Sequence, residues 1–297
     1  MPDGPRDLTT NLGGILFHYR DWGGAGQPIV LLHGLASTCH IWDLVAPILR
    51  RDFRVVALDQ RGHGESGKPE SGYDFRTVAS DLDRFIAHLG FDQPVIVGHS
   101  WGGNVALEYA VERPSRPLGL CFVDGGTIDI SSRQGSDLET AKREMAPPDF
   151  SGMTLDQLRA RAGGRFGELI RDAQREQIVL ANFEVLGDRT IRARLSRANH
   201  MRIIEALWDH HPAELYPRVA CPVLLMPARQ DDDTPTTSGS FSRRESIARA
   251  EELLPISESV WLEDSVHDVP LQRPELVASV ITGHFRNGFF NAEPART

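Results

Sequence analysis

The feature that most constrains this chain is a regular alternation in its first half. Short apolar runs, "PIVLLH" at 28–33, "FRVVALD" at 53–59, "PVIVGH" at 94–99 and "LGLCFVD" at 118–124, are separated by stretches of helical character. The clearest of these is "DFRTVASDLDRFIAHLG" at 74–90. Val78, Leu82, Phe85, Ile86 and Leu89 form one face there, and Asp74 stands where it can cap the start. "HIWDLVAPILRR" at 40–51 and "WGGNVALEYAVER" at 101–113 read as two more helices, the second apolar on most sides and so deeply packed. Strands that are apolar throughout, alternating with helices, call for a parallel sheet covered on both faces. "GILFHYRDW" at 14–22 alternates with period two and is expected as an antiparallel edge strand.

From 127 to 213 the strand signal stops, and Arg, Glu, Ala and Leu dominate between breaks at Pro147–Pro148, Gly163–Gly164 and Gly187. This stretch reads as several helices inserted into the series as a cap, with residues 1–126 and 214–297 as the core. The series then resumes with a strand at 221–228, a helix at 242–255 whose Ser242 and Glu245 have capping-box spacing, a last strand at 258–264, and a last helix at 273–290 with Pro274 near its first turn.

Composition narrows the partners. Net charge is -9 with no basic block, so neither nucleic acid nor an anionic membrane surface is an expected partner. No uninterrupted apolar run approaches the ~20 residues of a membrane span, and the first residues lack the apolar core of a signal peptide. Cys39, Cys121 and Cys221 are odd in number and far apart, as expected of reduced thiols in a cytoplasmic protein. No metal site or cofactor is implied. "DDD" at 231–233 lacks paired ligands elsewhere and reads as a solvated loop.

In an open parallel sheet, ligands collect at the carboxyl ends of the strands. The run at 94–99 leads into "GHSWGG", 98–103, a G-x-S-x-G pattern between a strand and a helix. That context forces Ser100 into a strained turn that exposes its hydroxyl, and it puts the Trp101 N–H at a helix start, where an oxyanion is favoured. The alternative is a glycine-rich turn without chemistry. After 28–33, Gly34 lets the backbone turn so that the Leu35 N–H can point into the same site. "DQRGHGES" at 59–66 reads as a structural loop, with His63 as scaffold. A serine hydroxyl needs a base. Of eleven histidines, His267 is placed for this, in a loop between the last strand and the last helix. His99 adjoins the serine, but strand alternation points its side chain the other way.

The chain resembles the α/β-hydrolase fold family. The resemblance rests on His33–Gly34, on 59–66 (DQRGHGES), on 98–103 (GHSWGG) and on His267 in its late loop. It implies that Ser100 is a nucleophile, that His267 is its base and then acid, and that the N–H groups of Leu35 and Trp101 hold the oxyanion. It usually also implies an acid after the strand at 221–228. There Asp231 sits at the expected offset, but the loop "PARQDDDTPTTSGSFS" lacks the glycine usual near its start. Asp124, ending a short rigid strand before Gly125–Gly126, is the favoured alternative. His33, Met145, Phe150, Met153, Phe166, Phe183, Met201 and Trp208 are candidates to line a pocket. The expected function is hydrolysis of a small to medium, mostly apolar carboxylic ester or lactone through an acyl-enzyme. C–C, amide or thioester hydrolysis and cofactor-free perhydrolysis on the same triad are alternatives, as is a non-catalytic receptor. Epoxide hydrolases and haloalkane dehalogenases carry aspartate where Ser100 stands, which disfavours both.

Overall fold

A computed structural model describes residues 4–132, 135, 137–161, 172–229 and 243–292. The chain opens with a hairpin of β1 (Arg6–Leu12) and β2 (Ile15–Gly23), closed by Gly13 and Gly14, both at positive φ as a two-residue turn requires. Then come β3 (Pro28–Leu32), α1 (Ala46–Leu49), β4 (Arg54–Leu58), α2 (Phe75–Leu89), β5 (Val95–His99), α3 (Trp101–Glu112) and β6 (Gly119–Val123). After β6 lie α4 (Leu138–Glu144), α5 (Leu155–Arg161), α6 (Ala173–Leu180), β7 (Phe183–Val185), β8 (Ile191–Ala193), α7 (Arg197–Trp208) and α8 (Pro212–Leu215). The chain ends with β9 (Val223–Met226), α9 (Arg243–Leu253), β10 (Ser257–Ser259), α10 (Val269–Gln272) and α11 (Pro274–Arg286).

Eight strands form one sheet in the order β1-β2-β4-β3-β5-β6-β9-β10. The β1–β2 and β2–β4 pairs are antiparallel and all the others are parallel. The uniformly apolar strands are buried on both sides because the core is double. Val30, Leu32, Ile96, Leu120 and Phe122 face one layer with α2 and α3, whereas Ile29, Leu31, Val97, Cys121 and Val123 face another with α1 and α11. Asp74 caps α2 by accepting the Thr77 N–H at 2.9 Å, and Gly90 ends that helix in the left-handed region. From Trp101 to Val111 every residue of α3 is buried.

Four expectations are corrected. The edge strand is β1, not 14–22: "RDLTTNL" is too polar to stand out, and it pairs outside β2. Residues 40–51 are not one helix. A 3-10 turn at Cys39–Trp42 is followed by the separate α1, whose first turn holds Pro47. The stretch 127–213 is not purely helical, since β7 and β8 pair antiparallel within it. The last strand is only β10; beyond it the ladder resumes at a single bridge, Ala228 with Leu262. The Ser242 capping position lies outside the described residues. No helix among the described residues is long and apolar enough to cross a membrane.

Candidate active site

The ends of β3, β5 and β6 share a feature that sequence patterns do not display. Ala36, Ser100 and Asp124 all adopt positive φ, at 59°, 52° and 43°. Non-glycine residues avoid this region, and such strain persists only where the surroundings over-determine it. Around Ser100 the surroundings are glycines. A Cβ on Gly98 would lie 2.3 Å from the Gly102 carbonyl oxygen, and one on Gly102 would lie 2.7 Å from the carbonyl oxygens of Leu32 and His33. A Cβ on Gly125 would lie 2.2 Å from the Ser100 carbonyl oxygen. The elbow is thus gripped by backbone on three sides, and only glycine fits there.

His267 comes from the loop between β10 and α10. Its Nε2 lies 3.0 Å from Ser100 Oγ, across 167 residues of sequence. Its Nδ1 lies 2.6 Å from Asp124 Oδ2. The other carboxylate oxygen of Asp124 accepts the Ala228 N–H at 3.0 Å, and the Arg243 guanidinium also reaches this carboxylate. Burial would raise the Asp124 pKa, but the His267 hydrogen bond and charge, then Arg243 and the Ala228 N–H, hold it below the usual carboxylate value. Burial likewise opposes protonation of His267, yet the hydrogen bond and charge of Asp124 outweigh it and raise that imidazole above its ordinary pKa of 6.5. Asp231, the other candidate acid, lies outside the described residues.

His99 is the departure from strand alternation. Its Nε2–H donates to the His267 carbonyl oxygen at 2.8 Å, and the two rings lie 4.9 Å apart. The alternation rule fails because the left-handed turn at Ser100 ends the extended backbone, so neighbouring side chains no longer take opposite faces. Burial and then the charge of His267 push the His99 pKa down to about 4, leaving a neutral prop for the His267 loop.

On the β3 side, a Cβ on Gly34 would come 3.0 Å from Ser100 Cβ, so the loop carrying Leu35 lies against the serine. Trp101 is the first residue of α3, and its N–H has no intrahelical acceptor. His63 braces both parts. Its Nδ1–H donates to the Arg61 carbonyl, its Nε2 accepts the Ala36 N–H at 3.3 Å, and its ring stacks on Trp101 at 5.3 Å. Burial keeps the pKa of His63 well below 6.5, and this tautomer is the one the two bonds require. His33 lines neither of the two cavities described below: it is buried, accepts the Gln60 N–H at 3.0 Å, and fixes the turn.

A cavity of about 720 Å³ lies among residues of the 127–213 stretch, with Ala36 on its wall. Met145, Phe150, Met153 and Phe183 line it, and His200 joins them, its Nε2–H donating to the Met145 carbonyl. Met201 and Trp208 do not line it. Met201 follows His200 on α7 and is turned about 100° away, whereas Trp208 packs against the core. Phe166 lies outside the described residues. A second cavity of about 730 Å³ borders Asp124, His267 and Arg243.

One cluster of the described residues has metal-ligand types: His18, Cys39 and Asp59. Its donors are already engaged. The Asp59 carboxylate accepts the Cys39 N–H at 2.7 Å, the Glu65 N–H at 3.0 Å and His18 Nδ1–H at 2.7 Å, and burial pushes the Cys39 thiol up, so it stays protonated. The cluster anchors the loop 59–66.

The architecture superposes on the crystal structure of E-2-(acetamidomethylene)succinate hydrolase with a TM-score of 0.78, covering 95% of this chain and 99% of that one. At 22% identity the likeness is one of fold. A family model described as the alpha/beta hydrolase fold matches residues 27–171. The chain has the alpha/beta hydrolase fold. This α/β-hydrolase fold protein is 43% identical over 101 residues to a soluble epoxide hydrolase of Corynebacterium sp. (strain C12), covering 34% of this chain and 35% of that protein. It is 39% identical over 133 residues to a non-heme haloperoxidase of Rhodococcus erythropolis, covering 44% and 48%. These matches span between a third and a half of the relatives' own lengths.

Proposed function

We propose that this protein is a serine hydrolase that cleaves a carboxylic ester or lactone through an acyl-enzyme, with Ser100, His267 and Asp124 as its triad. The observation that carries the reading is the continuous hydrogen-bond chain from Ser100 Oγ through His267 to Asp124, at 3.0 and 2.6 Å. His267 Nε2 takes the Ser100 proton as Oγ adds to the carbonyl carbon. Asp124 holds the imidazole in the tautomer with Nδ1–H and balances the imidazolium that forms. The N–H groups of Leu35 and Trp101 receive the developing oxyanion. His267 then gives its proton to the departing alcohol oxygen. Water, deprotonated by the same imidazole, adds to the acyl carbon and releases the acid and Ser100. The 127–213 stretch serves as a cap, and its apolar cavity receives a small to medium, mostly apolar substrate.

The nucleophile type argues against the epoxide chemistry named for the Corynebacterium relative. A carboxylate that displaces at a saturated carbon leaves an alkyl ester, whose carbonyl water can attack. A serine doing so would leave an ether with no carbonyl, and turnover would stop. The similarity to the haloperoxidase favours a second reading, in which hydrogen peroxide rather than water takes the acyl group and leaves as a peracid. Amide, thioester or C–C bond cleavage would use the same groups.

A fluorophosphonate probe, with panels of nitrophenyl esters and lactones, tests the proposal. Wild type should be labelled at Ser100 and turn over members of one panel, and Ser100→Ala should lose both. An unlabelled wild type, or labelling that survives Ser100→Ala, overturns it in favour of a receptor or another nucleophile. Peracid formation with added peroxide at a rate above hydrolysis would favour the second reading.

A further inference from the structure

We propose that Arg243 is a positioning residue of this site: its guanidinium shares the Asp124 carboxylate with His267 and thereby sets how strongly that carboxylate holds the imidazolium. The inference rests on reading Asp124 as the triad acid. Arg243 is the first residue of α9 and ties three elements together at the ends of β6 and β9. Its Nη1–H donates to the Ala228 carbonyl oxygen at 2.8 Å, and its Nη2–H donates to Asp124 Oδ2 at 3.3 Å. Its Nε lies 3.2 Å from Asp124 Oδ1. The same backbone residue, Ala228, also donates its N–H to Oδ1. The Asp124 side chain is 4% exposed, and among the described residues these groups and His267 are its polar partners.

A triad needs its acid to meet one positive charge, the imidazolium that appears during reaction. Here a permanent cation meets the same carboxylate first. Two consequences follow. The carboxylate is ionised and fixed in orientation before substrate arrives, by a forked group suited to planar acceptors. The imidazolium also gains less from it, because part of the carboxylate field is already spent and the two cations repel. Among the described residues, the titratable and charged groups that act on His267 are Asp124 at the end of β6, Arg243 from α9, His99 from β5, and Asp268 beside it in its own loop. Asp124 and Asp268 favour the protonated ring, His99 is neutral, and Arg243 opposes protonation. Among the described residues, Arg243 is thus the permanent positive group acting on the base. It lets the free imidazole persist to lower pH than the two aspartates alone would allow.

The test is the pH dependence of Ser100 labelling by a fluorophosphonate, which requires neutral His267, in wild type, Arg243→Gln, Arg243→Lys and Arg249→Gln. Arg249 lies on the same helix with its charge paired to Glu252 at 2.7 Å, so it controls for net charge. Arg243→Gln should move the acid limb upward by about 0.5–1 pH unit. Arg243→Lys, which keeps the charge without the fork, should stay within about 0.3 unit of wild type. Arg249→Gln should not move the limb. The inference is overturned if Arg243→Gln leaves the limb in place, if Lys moves it as far as Gln does, or if Arg249→Gln moves it equally. If wild type is not labelled at Ser100 at any pH, the triad reading itself fails and this inference with it.

Discussion

Asp124→Asn isolates the acid from the scaffold around it. Asn is tolerated in the left-handed region that residue 124 occupies, so the strained backbone keeps its shape. The amide must then choose an orientation. The Ala228 N–H, 3.0 Å from Oδ1, is fixed backbone and needs an acceptor. Leaving it unpaired would cost about 1–3 kcal/mol. The Arg243 side chain, 38% exposed, can swing out towards water instead. The amide oxygen therefore takes the Oδ1 place, and the NH₂ faces His267 Nδ1 across the present 2.6 Å. That nitrogen becomes an acceptor and the ring proton moves to Nε2, which can no longer take the Ser100 proton. The expected loss in kcat/KM is about 10⁴-fold, or about 5.4 kcal/mol in the barrier. The assay is hydrolysis of the best nitrophenyl ester or lactone, alongside circular dichroism and thermal unfolding to show an intact fold. Asp231→Asn should stay within about threefold of wild type, since the Asp124 carboxylate already holds His267 Nδ1 at 2.6 Å. An Asp124→Asn enzyme within about tenfold of wild type would refute the tautomer argument.

Gly102→Ala would ordinarily help a helix by up to about 1 kcal/mol. Here the new methyl meets two backbone carbonyl oxygens at 2.7 Å, so urea denaturation should show a loss of about 1–3 kcal/mol, and any gain would disprove the close-packed elbow. Asp59→Asn replaces one of two buried acceptor oxygens by a donor and removes the charge facing His18, and should cost about 3–5 kcal/mol at pH 7 by denaturant titration; an unchanged midpoint would refute the anchoring role. Burial works against the Asp59 charge, but the His18 bond and its other donors win and lower the pKa. Its contribution is therefore present above the ordinary carboxylate pKa of about 4 and lost as pH falls below it, so the variant's stability should fall less steeply in acid than wild type's.

Local pattern carried a good part of this molecule. The four apolar runs became β3, β4, β5 and β6, the 74–90 periodicity became α2 with its Asp74 cap, and G-x-S-x-G became a strand–turn–helix. These follow from spacing, from glycine and from helix capping, which act within a few residues. Elements with a weak local signal escaped. The polar β1 is held by its partner strand, the short β7–β8 pair by each other, and residues 40–51 are divided because a proline restarts the helix.

The candidate site divides in the same way. The sequence alone nominated Ser100 and a late histidine, because an elbow and a loop position are properties of order along the chain. It left Asp124 and Asp231 both open, aimed His99 the wrong way, and gave Arg243 no role. Those matters turn on contacts between residues 104 to 168 positions apart, at the point where β5, β6 and β9 end side by side. No periodicity or spacing encodes which carboxylate the sheet brings within 2.6 Å of an imidazole. That distance exists only once the strands have paired in register and the backbone has been forced through its left-handed turns.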